Sequence, residues 1–217
     1  NTGEMEMPMN EEEVSSSIEF RISNIKSLSK SIPMSWKSIG ISLSGNKKSI
    51  SVKLERLAAR IGFNIDSSLV NGLKITSVRL CQSASVVRPF EEGGSKVISS
   101  SEIINGDYAT TQDLIYLNSA KTIYFYALEN KQDNLLPDNT DPWQKIPDGL
   151  GPKAGLCTYI EAVGEFEDGL LFKGSVTYRF YLGKDNTSDF SIVRNSNMTI
   201  TLSLTGEGLS EISWKVE

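Results

Sequence analysis

An all-β fold of antiparallel sandwiches is what this sequence predicts, and three observations carry it. Apolar residues recur at every second position through much of the chain, as in Ile18, Phe20 and Ile22, which places them on one face of an extended segment. Clusters of Gly, Asn, Asp and Ser break these runs at short intervals, as turns do between strands. No strand–helix–strand alternation of the kind that builds a parallel sheet is visible. The 217 residues suffice for two sandwiches of about a hundred residues each. The expected division is a flexible acidic leader over 1–17, an N-terminal sandwich over 18–118 and a C-terminal sandwich over 119–217.

The elements follow in order. After the leader, Ile18–Ile22 reads as a strand. Ile39, Ile41 and Leu43 form a second, closed by the turn pair Gly45-Asn46, and Ile50, Val52 and Leu54 a third. Leu54, Leu57, Ala58 and Ile61 then fall at helical spacing, whereas Ile61, Phe63 and Ile65 return to period two. A single helical turn or a bulge between two strands is the expectation there. Further strands are expected at "LKITSVRLCQ", "SKVISS" and "DLIYLN", and over Lys121–Leu128, rich in Ile, Tyr and Phe. The stretch "ENKQDNLLPDNTDPWQKIPDGLGPKAG" (129–155) is the longest irregular region, and a loop of that length is usually functional or mobile. Strands then crowd together at Cys157–Phe166, Val176–Leu182, Phe190–Val193, Met198–Thr205 and Ile212–Val216. In the first of these, Tyr159, Glu161 and Val163 share one face while Thr158, Ile160 and Ala162 share the other, so cover is expected on both.

Composition narrows the chemistry. A net charge of −5 argues against nucleic acid or an anionic membrane as the main partner, since either would want a basic surface. No apolar run reaches the roughly 18 residues of a membrane-spanning helix. The chain has no histidine, which removes His-based triads and imidazole metal sites. Two cysteines cannot build a four-thiolate metal site. Cys81 and Cys157 both lie in strand-like runs and read as small buried hydrophobes, expected to be free thiols, one in each sandwich; a disulfide between them cannot be read from spacing alone. "GLGPKAG" (149–155) fails as a phosphate loop, because Pro152 removes a donor and a strand follows instead of a helix. Glu161 with Glu165, or Asp138 with Asp141, are the available acid pairs for glycoside hydrolysis; a solvated polar face is the simpler reading of the first. No catalytic residue, cofactor site or metal site is therefore assigned, and the chain is expected not to be an enzyme.

The ordered set "TIYFYALEN", "CTYIEAVGEF", "VTYRFYLGKDNTSDFSIVRNSNMTITLSLTGEG" and "ISWKVE", with "IPMSW" and "VKLERLAARIGFNI" upstream, resembles the fimbrillin-like proteins of Bacteroidales. These are type V pilus subunits and related surface lipoproteins, and the resemblance runs from about Ile32 to the end of the sequence. It implies two consecutive transthyretin-like β-sandwich domains and a lipid anchor in the outer membrane, outside the residues read here. It also implies fimbrial polymerisation by β-strand exchange after proteolytic maturation, with other pilus subunits as partners. The corresponding expectation is a structural subunit or an accessory or tip adhesin. The alternative is a surface lipoprotein that does not polymerise and binds a glycan or host protein. For the first, Ile212, Trp214 and Val216 alternate as a strand that either closes its own sheet or is donated to a neighbour. For the second, Trp36 and Trp143 could face a ligand or simply be partly buried.

Overall fold

The computed structural model describes residues 18–37, 51–66, 73–167, 173–204 and 212–216. The leader over 1–17, the Ile39–Leu43 strand and the Gly45-Asn46 turn lie outside the described residues. Along the chain come β1 (Phe20–Arg21), helix α1 (Ser27–Lys30), β2 (Met34–Ser35), β3 (Glu55–Arg56), β4 (Ala58–Ile65), β5 (Leu73–Cys81), β6 (Ser83–Ala84) and β7 (Val86–Val87). Then follow β8 (Ile103–Ile104), helix α2 (Thr111–Leu117), β9 (Ile123–Leu128), β10 (Asn130–Asn134), β11 (Tyr159–Glu167) and β12 (Lys173–Tyr181). Last are β13 (Asp189–Ile192), β14 (Asn197–Leu204) and β15 (Ile212–Val216). The protein is all-β in architecture, with two short α-helices among the described residues.

Two sheets carry the core. One has the order β15-β14-β4-β9 and the other β12-β11-β5. Alternation decides what each strand buries: Ala59, Ile61, Phe63 and Ile65 of β4 enter the same apolar cluster as Ile160 and Ala162 of β11 and Phe180 of β12. Phe63 and Phe180 meet across the sheets with ring centroids 5.6 Å apart. The other face of β11 is covered in part, as expected: Tyr159 joins Cys81, Cys157, Tyr181 and Phe190 in a smaller cluster, while Glu165 is exposed. Strands from before and after residue 118 share both sheets: β4 lies between β9 and β14, and β5 pairs with β11. The expected boundary thus falls between α2 and β9, not between sheets.

Several local expectations are corrected. Of the two expectations around Leu57, a helical turn or a bulge between two strands, the helical turn does not form, and a bend separates the strands β3 and β4. The buried Leu57 donates its N–H to Pro33 O (2.9 Å) and accepts from Glu129 N (3.0 Å), bonds a helix would have used internally. Residues 51–54 form no strand, and Val52 and Leu54 are exposed. "DLIYLN" is not a strand but the body of α2. Thr110 Oγ1 accepts from Asp113 N (3.2 Å) while Asp113 Oδ2 accepts from Thr110 N (2.9 Å), a reciprocal cap that starts a helix. "SKVISS" joins no ladder among the described residues, and its last residue begins the turn Ser100–Glu102. Side-chain amides replace a neighbouring strand there, with Val97 N donating to Asn130 Oδ1 (3.1 Å) and Gln132 Nε2 donating to Val97 O (2.8 Å). Within the supposed irregular region, β10 pairs with β13.

A buried ion pair ties the loops to this frame. Glu129, 2% exposed, accepts from Arg194 Nε (2.7 Å) and Ser95 N (2.8 Å), and Arg194 Nη1 donates to Pro89 O (2.7 Å). Removing one partner of a buried pair leaves the other charge uncompensated. Urea denaturation of Glu129→Ala should therefore show a loss of about 3–5 kcal/mol, against roughly zero to 0.5 kcal/mol for the exposed Glu165→Ala. Equal effects would remove this pair from any structural role. Both cysteines are buried and unlinked, and burial pushes the Cys157 thiol up to about 12. Thiol titration should accordingly find two reactive groups per chain in denaturant, and none at Cys157 in the native protein at pH 8.

Candidate functional site

The outward face of the β15-β14-β4-β9 sheet carries the most distinctive surface. Because the residues of β4 that alternate with the core point away from it, Arg60 and Gly62 lie on this face. Arg60 stands opposite Tyr126 of β9 on one side and Asn197 of β14 on the other, forming one transverse row; Tyr124, Gly62 and Thr199 form the next. The Arg60 guanidinium lies 4.0 Å from the Tyr124 ring centroid, a cation–π contact. Gly62 keeps the surface low, since a Cβ there would meet Thr122 Cγ2 at 3.0 Å and Thr199 Oγ1 at 3.1 Å. At the end of the row the turn before β14 closes in. Asn195 adopts a left-handed φ of 55°, which asparagine tolerates. Its N–H donates to Ala58 O (3.0 Å), and Arg56 Nη1 donates to its Oδ1 (3.3 Å).

Two cavities meet here. One, of about 360 Å³, is lined by Arg56, Arg60, Tyr126, Asn195 and Asn197 among others. The second, of about 340 Å³, lies towards the outer side of β9 and includes Tyr108, Tyr124 and Tyr126, with the ion pair Lys26–Asp107 (2.9 Å) at its rim. Tyr126 is common to both. Sequence reasoning missed this site. The alternation of Tyr124 and Tyr126 with Ile123 and Phe125 was visible, but not which strands would lie beside them.

The residues singled out from sequence are dispersed. Trp36 is half-buried after β2, Trp143 is 42% exposed on the turn Pro142–Gln144, and neither lines these cavities. Ile212, Trp214 and Val216 lie on β15, whose backbone pairs with β14 of the same chain in the register Leu204↔Ile212, Leu202↔Trp214 and Ile200↔Val216. Glu161 bridges the two strands beside β11, with Arg79 Nη2 at 3.0 Å and Arg179 Nε at 3.3 Å; Glu165 is exposed. Asp138 is exposed, and Asp141 caps a turn by accepting from Trp143 N (2.9 Å).

The long 135–156 segment is latched to the turn over 183–189. Lys145, 2% exposed, donates from Nζ to Asp185 O (2.6 Å), and burial lowers its pKa to about 8. Asn139 Nδ2 donates to Thr187 O (2.7 Å). Asp185 Oδ1 accepts from the backbone N–H of Thr187 (2.9 Å), Ser188 (2.6 Å) and Asp189 (3.0 Å). Burial opposes these bonds, yet together they bring its pKa down to about 2.

Residues 125–202, which run from β9 into β14, match a family described as Domain of unknown function (DUF4906). No curated protein matches the chain. Among solved structures it is similar to a candidate cell adhesion protein of Bacteroides eggerthii, with TM-score 0.44, 14% identity, 76% of this chain covered and 56% of that one. Another is a candidate cell adhesion protein of Bacteroides uniformis, with TM-score 0.39, 11% identity, 77% of this chain covered and 53% of that one. The chain thus spans about half the length of these two. Among the described residues no helix is long and apolar enough to cross a membrane, which says nothing of β-barrels.

The Asp185 turn gives a pH test with a definite sign. Its carboxyl is depressed from 3.8 to about 2 on folding, so it stabilises the fold above pH 4 and ceases to do so as pH falls through 2. Asp185→Ala should cost about 1–3 kcal/mol at pH 7, and its difference from the wild type should shrink steadily in melts between pH 4 and pH 2. A difference independent of pH would mean that the carboxylate charge is immaterial to the turn.

Proposed function

We propose that this chain is a non-catalytic module of a cell-surface pilus, a structural subunit or an accessory or tip adhesin, that joins its neighbours by exchanging a β-strand. The observation that supports it is the placement of β15. Among the described residues it is the outermost strand of its sheet and pairs with β14 alone. On its far side β14 is locked to β4 over six residue pairs, from Asn197↔Arg60 to Leu202↔Ile65. Withdrawal of β15 exposes the edge of β14 in a preformed sheet, and an open edge of N–H and C=O groups seeks a strand from elsewhere. An identical strand from a second copy satisfies it in the same register, and repetition of that contact without closure gives a fibre. The partners in this reading are other pilus subunits, at the outer membrane surface, with attachment through a lipid anchor outside these residues.

A chain ending at Ser210 tests the proposal. It should stay folded by near-ultraviolet circular dichroism and bind a synthetic peptide of residues 211–217. The same peptide carrying Trp214→Pro, which lacks a backbone donor, should not bind. The full chain, after limited proteolysis, should form ladders on a gel that the truncated chain does not. A truncated chain that is unfolded alone, or that ignores the peptide, contradicts strand exchange at this edge.

A further inference from the structure

We infer that the outward face of the β4 sheet is a binding site for a carboxylated sugar, with Arg56 and Arg60 holding the acid group. The inference does not rest on strand exchange, since the residues it is argued from lie on β3, β4 and β9 and around the start of β14. Every other arginine of the chain has a carboxylate partner: Arg21 with Glu19, Arg79 and Arg179 with Glu161, Arg88 with Glu19 and Glu102, and Arg194 with Glu129. Among the described residues Arg56 and Arg60 have none, and both line the same 360 Å³ cavity. In a chain of net charge −5, two uncompensated guanidiniums in one groove are a local exception of the kind that recruits an anion.

The groove selects which anion. Tyr126 stands directly across from Arg60, and Tyr124, half exposed, is the ring over which Arg60 lies. Aromatic rings offer a flat apolar surface of the kind a sugar's C–H face packs against. Asn195 and Asn197 are exposed at the rim, and their amides supply both donors and acceptors for hydroxyl groups. A simple phosphate would leave the tyrosines unused, and a neutral sugar would leave the arginines unused. A sugar with a carboxylate engages both. Its acid group takes the forked donors of Arg56 and Arg60 while its ring lies against Tyr126 and its hydroxyls reach the asparagines.

The test is an array of glycans ending in uronic or sialic acid, printed beside the same glycans as methyl esters. The full chain should bind acidic glycans, and at least about tenfold more weakly their esters. Arg56→Gln/Arg60→Gln and Tyr126→Ser should each lose at least about tenfold in affinity for the acidic glycan bound best. Melting temperature should be unchanged in the arginine variant, whose side chains are exposed, and lower in Tyr126→Ser, whose ring packs against the cluster of Leu57 and Leu128; gel ladders should persist in both, which separates this site from strand exchange. No binding to any acidic glycan, esters bound as well as acids, variants bound as well as wild type, or hexaglutamate competing at the same concentration as the glycan would each overturn the inference.

Discussion

The fold turns on the parallel pairing of β4 with β14. Antiparallel neighbours can be joined by a tight turn, but parallel neighbours need a long crossover. Here the crossover is most of the protein. Residues between Ile65 and Asn197 must leave β4, build the β12-β11-β5 sheet, supply β9 for the other side of β4 and return beside it. With both edges satisfied, β4 presents wholly apolar side chains inward. On its outward face Arg60 sits between Tyr126 and Asn197, and Gly62 between Tyr124 and Thr199. Such non-local pairing predicts slow folding relative to a helical protein of this size.

Much of this frame was legible in the sequence and some was not, for identifiable reasons. Period-two runs such as Ile61, Phe63 and Ile65, or Ile160 and Ala162, named core residues correctly, because burial of one face is a local consequence of pleating. α2 was hidden because "DLIYLN" is short and rich in β-prone residues. The reciprocal cap of Thr110 and Asp113 outweighs that propensity. β10 was hidden because Asn130 and Gln132 are polar, yet both are buried and spend their amides on Val97. The surface site was hidden for a different reason: Arg56, Arg60, Tyr126 and Asn197 come together only through strand order, which alternation does not encode. Trp36 and Trp143 drew notice by size alone.

Polar groups inside the molecule do positional work. Asn118 at the end of α2 accepts from Ile75 N and donates to Ile75 O, both at 2.8 Å. It does so beside the register shift where β5 carries an extra residue against β11. Glu129 with Arg194 fixes the junction of β9, the 88–95 loop and the turn before β14, and so also the position of Asn195 at the rim of the groove. The edge strand β15 lies at the opposite side of the sheet from β9. The proposed strand exchange and the proposed sugar site therefore draw on different named residues of the same sheet.

Strand exchange requires that β15 leave while β4 stays, and hydrogen–deuterium exchange measures that difference directly. If β15 is an exchangeable edge, amides of 212–216 in the monomer will exchange well ahead of those of 58–65. They will become protected once chains assemble. If 212–216 exchange as slowly as 58–65 in the monomer, β15 opens only with the whole fold, and it is not a strand for exchange.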